Sequence, residues 1–261
     1  MTAGVGAGAD AAAAPTTQVR RMPEKQQPGR ADLDAVLAGG MLAHVGFALE
    51  GWPYVIPVAY APWREGIVIH GSTGSRMFRA LAGGAPACVT VTHLDALVLA
   101  RSAFESSMSY RCAMLFGACR ELAGADKSDA LDALTDHLLP GRRLAEPIGL
   151  RPRSRKEDAA TMVLYLAAER WSVKAGSGFA EDPAADLDAY GHLWAGRVPL
   201  RTVLGPAEPD PTTVAADAPL PDHVAAWLDG RGIGHPALAG PAGPRSSSVA
   251  GRQSPNEEAT P

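Results

Sequence analysis

Apolar residues along this chain fall into short runs of strand size, and only a few segments show helical spacing. Met41 to Leu49 and Tyr54 to Tyr60 read as two strands joined by Glu50-Gly51, a hairpin-sized turn. Further strand-like runs cover Ile67 to His70, Ala87 to Thr92, Ala96 to Ala100, Thr161 to Ala167 and Trp171 to Lys174. Tyr110 to Leu122 is longer, with Gly117 as an expected bulge or bend. Asp32 to Ala38 reads as a small helix closed by Gly39-Gly40, and Met77, Phe78 and Leu81 share one face of a segment stopped by Gly83-Gly84. Over Asp126 to Leu139, Leu131, Leu134 and Leu138 line one helical face while Asp129, Asp132 and Asp136 line another. Six or seven short strands around two or three helices predict a mainly β fold, a small barrel with α attachments, rather than a doubly wound sheet.

One junction in this pattern carries chemistry. The run ending at His70 breaks into Gly71-Ser72-Thr73-Gly74-Ser75 and then enters the helical segment at Arg76. Unpaired backbone N–H groups, three hydroxyls and an arginine meet at one helix start, an arrangement that suits a phosphate. The same residues also suit a plain cap, with Ser75 accepting from an orphan N–H. The turn lacks the lysine of a Walker loop, and the glycine-dense runs lie near the N-terminus rather than between a strand and a helix. Neither a P-loop nor a dinucleotide fingerprint is supported.

Composition narrows the domain. The chain has 261 residues; residues 1–30 are rich in Ala, Gly, Pro and Gln, and Pro, Ala, Gly and Ser dominate 205–261. Both ends are expected to be largely disordered, apart from a short helix over Pro221 to Asp229. Residues 31–204 remain as one domain with enough length for a core. Net charge is −4 and no basic stripe interleaves with aromatics, which argues against nucleic acid. Arg151 to Lys156, the densest basic stretch, is broken by Pro152 and reads as a solvated loop. Cys88, Cys112 and Cys119 are odd in number and form no CxxC, as expected of reduced thiols in the cytoplasm. Arg20-Arg21 is followed by Pro23 to Gln26 where an export signal needs an apolar region, and no run reaches membrane-spanning length. The seven histidines show no ligand-like pairing, so no metal is expected. No nucleophile elbow is present either.

Four segments in order resemble a known family: Pro53-Tyr54-Val55-Ile56-Pro57-Val58-Ala59-Tyr60, then Ile67 to Leu81, then Pro86 to Val91, then Tyr110 to Gly117. The chain is similar over residues 31–204 to the FMN-binding split barrels, the pyridoxamine 5′-phosphate oxidase-like proteins, in particular the nitroimidazole-reductase-like branch. The resemblance implies FMN held noncovalently at a homodimer interface. Its ring would lie against Val55, Ile56, Pro57 and Val58, and its phosphate near Ser75, Arg76 and Arg111, with Tyr110 adjoining. Trp194, in the closing stretch Leu193 to Leu200, would reach a flavin across the dimer or pack the barrel end. The pattern departs from the oxidases at Met77, where a lysine usually follows Ser-Arg, at Cys112, where a glutamine is common, and at Gly176, where relatives carry an arginine. The Arg-x-His substrate signature is absent, which argues against pyridoxamine 5′-phosphate as substrate. A turn poor in Arg and Lys also disfavours the deazaflavin F420.

Two function classes follow. One is an FMN-dependent oxidoreductase moving electrons from NAD(P)H or an organic donor to a small oxidised molecule or oxygen, with His70 as the catalytic side chain near the open flavin face. The other is a non-catalytic flavin- or haem-binding module, since split barrels bind both ligands. A lone histidine at a strand end is also a common structural residue, and His70 carries both readings.

Overall fold

Alternation sorts the side chains of each strand onto two faces, and the strand registers carry that sorting across the sheet. The computed structural model describes residues 14–143, 149–212 and 220–229. Its strands are β1 (Gln26–Gln27), β2 (Leu42–Leu49), β3 (Trp52–Trp63), β4 (Gly66–Ser72), β5 (Pro86–Leu99), β6 (Ser107–Ala118), β7 (Arg120–Glu121), β8 (Thr161–Ala167), β9 (Arg170–Gly176) and β10 (Gly196–Pro199). The α-helices are α1 (Arg30–Gly39), α2 (Arg76–Ala82), α3 (Gly124–Leu138), α4 (Arg155–Ala160), α5 (Ala184–Tyr190) and α6 (Asp222–Leu228). The strand order is β1-β9-β6-β5-β2-β3-β4-β8-β7, with β10 on β5, and neighbours run antiparallel. Only Cys119 separates β6 from β7, so the path from β6 to β7 closes on itself as a barrel. The architecture is the expected one, mainly β with helical attachments.

One row of the barrel shows how the core is built. Ile56, Val45, Val89, Leu115 and Trp171 stand opposite one another on five neighbouring strands, and Val45, Val89 and Leu115 are fully buried. Shifting by one residue gives Val55, Gly46, Cys88, Phe116 and Arg170, which point away from the core. Those side chains are exposed or half-buried. α1 buries Leu33, Val36 and Leu37 against the barrel. Its end is capped by side chains from three other elements. The Tyr60 hydroxyl donates to the Leu37 carbonyl (2.6 Å), His93 Nε2 meets that of Val36 (2.9 Å), and His137 Nε2 meets that of Gly40 (2.6 Å). A second, smaller core joins α3 to the barrel through Leu131, Leu134, Trp63, Val68 and Val163, with Trp63 Nε1 donating to Asp129 (2.7 Å).

Several elements differ from the sequence expectation. Ala87 to Thr92 and Ala96 to Ala100 belong to the single strand β5, whose register shifts between Leu94 and Ala96. The long run after Tyr110 breaks at Cys119 rather than at Gly117. The basic stretch read as a loop ends inside α4, which Ser154 and Glu157 open as a capping box, with Arg151 also bonded to Glu157. That Ser-x-x-Glu signature is legible in the sequence, but the helix it opens is only six residues long. β1 and β10 have no marked apolar periodicity and take their partners from distant segments, whereas α5 buries no side chain. Gln26 and Gln27 pair with β9, and Trp227 of α6 donates to the Pro140 carbonyl (3.0 Å). The expected disorder over 1–13, 213–219 and 230–261 lies outside the described residues, as does His235.

Candidate functional site

The barrel is split beside β3. β3 pairs with β2 from Trp52 to Ala59, but with β4 only from Tyr60 to Trp63. Among the described residues no strand pairs with the other edge of Trp52 to Ala59, and its backbone groups are available to a ligand. Pro53 and Pro57 fit this edge because neither has an N–H to satisfy. Val55 is 67% exposed, Pro57 is exposed, and Ile56 and Val58 are half-buried. These are the four residues expected to face a flavin ring.

Across the gap, Tyr60 opposite Ile69 is the last rung between β3 and β4, and His70 is the next residue along β4. Gly71 follows because the Phe78 ring covers it: a Cβ there would lie 2.3 Å from the ring. In the turn, the Ser75 N–H donates to the Ser72 carbonyl (2.9 Å) and the Gly74 N–H to Ser72 Oγ (3.1 Å). The Thr73 N–H donates to the Ala160 carbonyl (3.0 Å), and the Phe78 N–H to Ser75 Oγ at a long 3.5 Å. Ser75 is thus the N-cap of α2, and its cap role needs no ligand. The turn still presents three hydroxyls beside the split.

The cations around this turn are few. Arg76 is exposed and pairs with Glu50 of the β2–β3 hairpin at 3.5 Å. Arg79, one turn on, faces solvent, and Met77 is buried in the core. Arg111 donates bidentately to Asp95, with Nε to Oδ2 at 3.0 Å and Nη2 to Oδ1 at 2.9 Å. The sequence reading missed both carboxylates. Glu50 had a signal, since a two-residue hairpin turn normally takes Asn or Asp before Gly.

The structure therefore sorts the candidate residues into two groups. Val55 to Val58, His70, Ser75 and Arg76 border one split. Tyr110 and Arg111 lie on β6, three strands from β3 in the sheet order, and Trp194 precedes β10 on the edge of β5. Trp194 is 68% exposed and folds over Gly196, where a Cβ would meet its ring at 2.8 Å.

His70 leaves more than a third of its surface open, yet neighbouring atoms desolvate its ring and push its pKa below the ordinary 6.5. The ring is neutral at pH 7, with one nitrogen able to donate and the other carrying a lone pair. All three cysteines are free thiols. Burial raises Cys119 to about 11 and also raises Cys88, so neither is an activated nucleophile. Cys112, at the position where relatives often place glutamine, accepts from the Thr92 hydroxyl (3.5 Å). Gly176, where relatives carry an arginine, faces the Lys25 side chain instead. No group of three or more metal-ligating side chains occurs among the described residues, and no helix there is long and apolar enough to cross a membrane.

Comparison with known proteins gives two kinds of match. The sequence profile of the family described as pyridoxamine 5′-phosphate oxidase matches residues 29–175. The structure of the FAD and heme binding protein from Mycobacterium smegmatis is similar, with 46% identity and a TM-score of 0.72 over 77% of this chain and 96% of that one. The flavocytochrome Anf3 from Azotobacter vinelandii is similar at 34% identity, with a TM-score of 0.73 over 80% of this chain and 94% of that one. Among curated proteins there is no match.

Proposed function

The chain belongs to the pyridoxamine 5′-phosphate oxidase family, and from that premise we propose that it is a flavoprotein oxidoreductase that also takes a haem. One observation carries the flavin reading: the free β3 edge, His70 and the Ser75-Arg76 turn border a single split. A bound flavin supplies hydride and single-electron transfer there. The chain's own part is to hold it. Main-chain groups of Val55, Ile56 and Val58, with the Pro57 carbonyl, suit the polar edge of the ring, while Arg76 and the turn hydroxyls suit its phosphate. The haem reading is supported by the FAD and heme binding protein and the flavocytochrome to which the chain is similar. His70 fits an iron ligand because its imidazole is neutral at pH 7, partly open and without a hydrogen-bond partner among the described residues.

A second copy of the chain would complete the site. Trp52 (71% exposed), Val55, Leu97, Met108 and Trp194 leave apolar surface uncovered. In a homodimer, Tyr110, Arg111 and Trp194 of one copy would approach the split of the other. The free thiols suit a cytoplasmic protein. NAD(P)H is the proposed donor, with a small oxidised molecule or oxygen as acceptor. A visible spectrum of the purified chain, with extraction of its chromophores, tests the reading. Both flavin and haem are expected, with flavin bleached by NAD(P)H under anaerobic conditions; haem without flavin would overturn it, and bound flavin that no donor reduces would leave a binding module.

A further inference from the structure

Charge around the turn decides which flavin suits the split, a question that rests on the flavin reading above. Among the described residues, Arg76 is the one cation of the Gly71–Arg76 turn, and Glu50 opposes it at 3.5 Å. Arg111 is engaged by Asp95, and the position where the oxidases carry lysine is the buried Met77. Arg79 points to solvent one turn away. Arg76 and Glu50 thus offset each other, a poor match for a single phosphate that carries two negative charges.

Glu50 is also out of place as a turn residue. It occupies the first of the two central positions with φ 53°, followed by Gly51 at φ 80°. Asn, Asp and Gly are favoured at such positions, and glutamate is not. The turn itself does not call for this side chain.

We propose that Glu50 is a specificity-determining residue that favours flavin adenine dinucleotide over FMN in the split. A phosphate monoester such as FMN carries about −1.5 to −2 at neutral pH. Placed on Arg76, it meets the Glu50 carboxylate as a like charge. Each phosphate of the dinucleotide carries a single charge, and the pair spreads it over two centres. Both Glu50 and Arg76 are largely exposed, so the discrimination is modest and falls with salt.

The test equilibrates the full chain with an equimolar mixture of FMN and FAD at low ionic strength, then separates and quantifies the retained flavins. Glu50→Gln and Glu50→Asn both remove the charge, and Asn is a favoured turn residue, which guards against a hairpin defect. Each is expected to raise the retained FMN:FAD ratio about fivefold, with the gain shrinking at high salt. An unchanged ratio in a variant with the wild-type circular dichroism spectrum overturns the role of Glu50. Arg76→Gln separates this from the underlying placement: retention of both flavins should fall, and if neither falls, the flavin reading at this turn fails instead.

Discussion

The two halves of β3 have opposite fates although they form one continuous strand. From Tyr60 to Trp63 the strand pairs with β4 alone, and Tyr60, Ala61 and Trp63 are buried. From Trp52 to Ala59 it pairs with β2 alone, along its opposite edge, and most of its side chains are open. Composition does not separate them, since both halves are apolar and carry proline. The difference lies in the hand-over from β2 to β4 at Tyr60, which leaves Trp52 to Ala59 beside the split and puts Tyr60, Ala61 and Trp63 inside the cores. A strand can therefore anchor a core with one end and offer a backbone edge with the other, at no cost in local propensity.

The largest effect should come from breaking the closed half. Tyr60→Ala removes a fully buried ring and its bond to Leu37, and is expected to cost about 3–5 kcal/mol in urea unfolding. Val55→Ala, in the open half, should stay within about 0.5 kcal/mol. Similar losses at both positions would mean that the open half is covered in solution.

Arg111→Ala sharpens the contrast between an engaged and an available arginine. Loss of the partly buried pair with Asp95 should cost about 1–2 kcal/mol of stability by chemical denaturation. Arg76→Ala should leave stability nearly unchanged and weaken flavin binding about tenfold by equilibrium titration, whereas Arg79→Ala should have little effect on either. Equal flavin affinities for Arg76→Ala and the parent would reduce Ser75-Arg76 to a helix cap.

The smallest effect concerns His70, beside the last β3–β4 rung. Its folded pKa lies below its unfolded value near 6.5, so the unfolded chain binds the proton more readily. The stability that follows is fully present above about 6.5 and is lost as pH falls through the folded value. Urea midpoints compared at pH 7 and pH 5 should show a drop that His70→Asn diminishes; an identical drop in the variant would assign it to other groups.

Much of this architecture was legible in the residues. β8 runs over Thr161–Ala167 as expected, and β2, β4, α1, α2 and α3 differ only at their ends, because each has a clear apolar period and a turn or glycine to stop it. What escaped was non-local. β10 and β1 gain strand character from β5 and β9, not from their own sequence. At the site, the anion turn announced itself through local residue types. Asp95 did not, and Glu50 showed only as an unusual turn residue, since nothing in linear order ties Glu50 to Arg76, or Asp95 across the bulged β5–β6 ladder to Arg111.

The capped end of α1 also constrains how the chain matures. Its three carbonyl partners arrive from residues 23, 57 and 97 positions downstream. During synthesis the helix sequence emerges first, yet its last turn stays without partners until β3, β5 and finally α3 have left the ribosome and docked. Amide protection in that turn should therefore report on completion of the whole barrel rather than on the helix alone, making it a probe for the final step of folding.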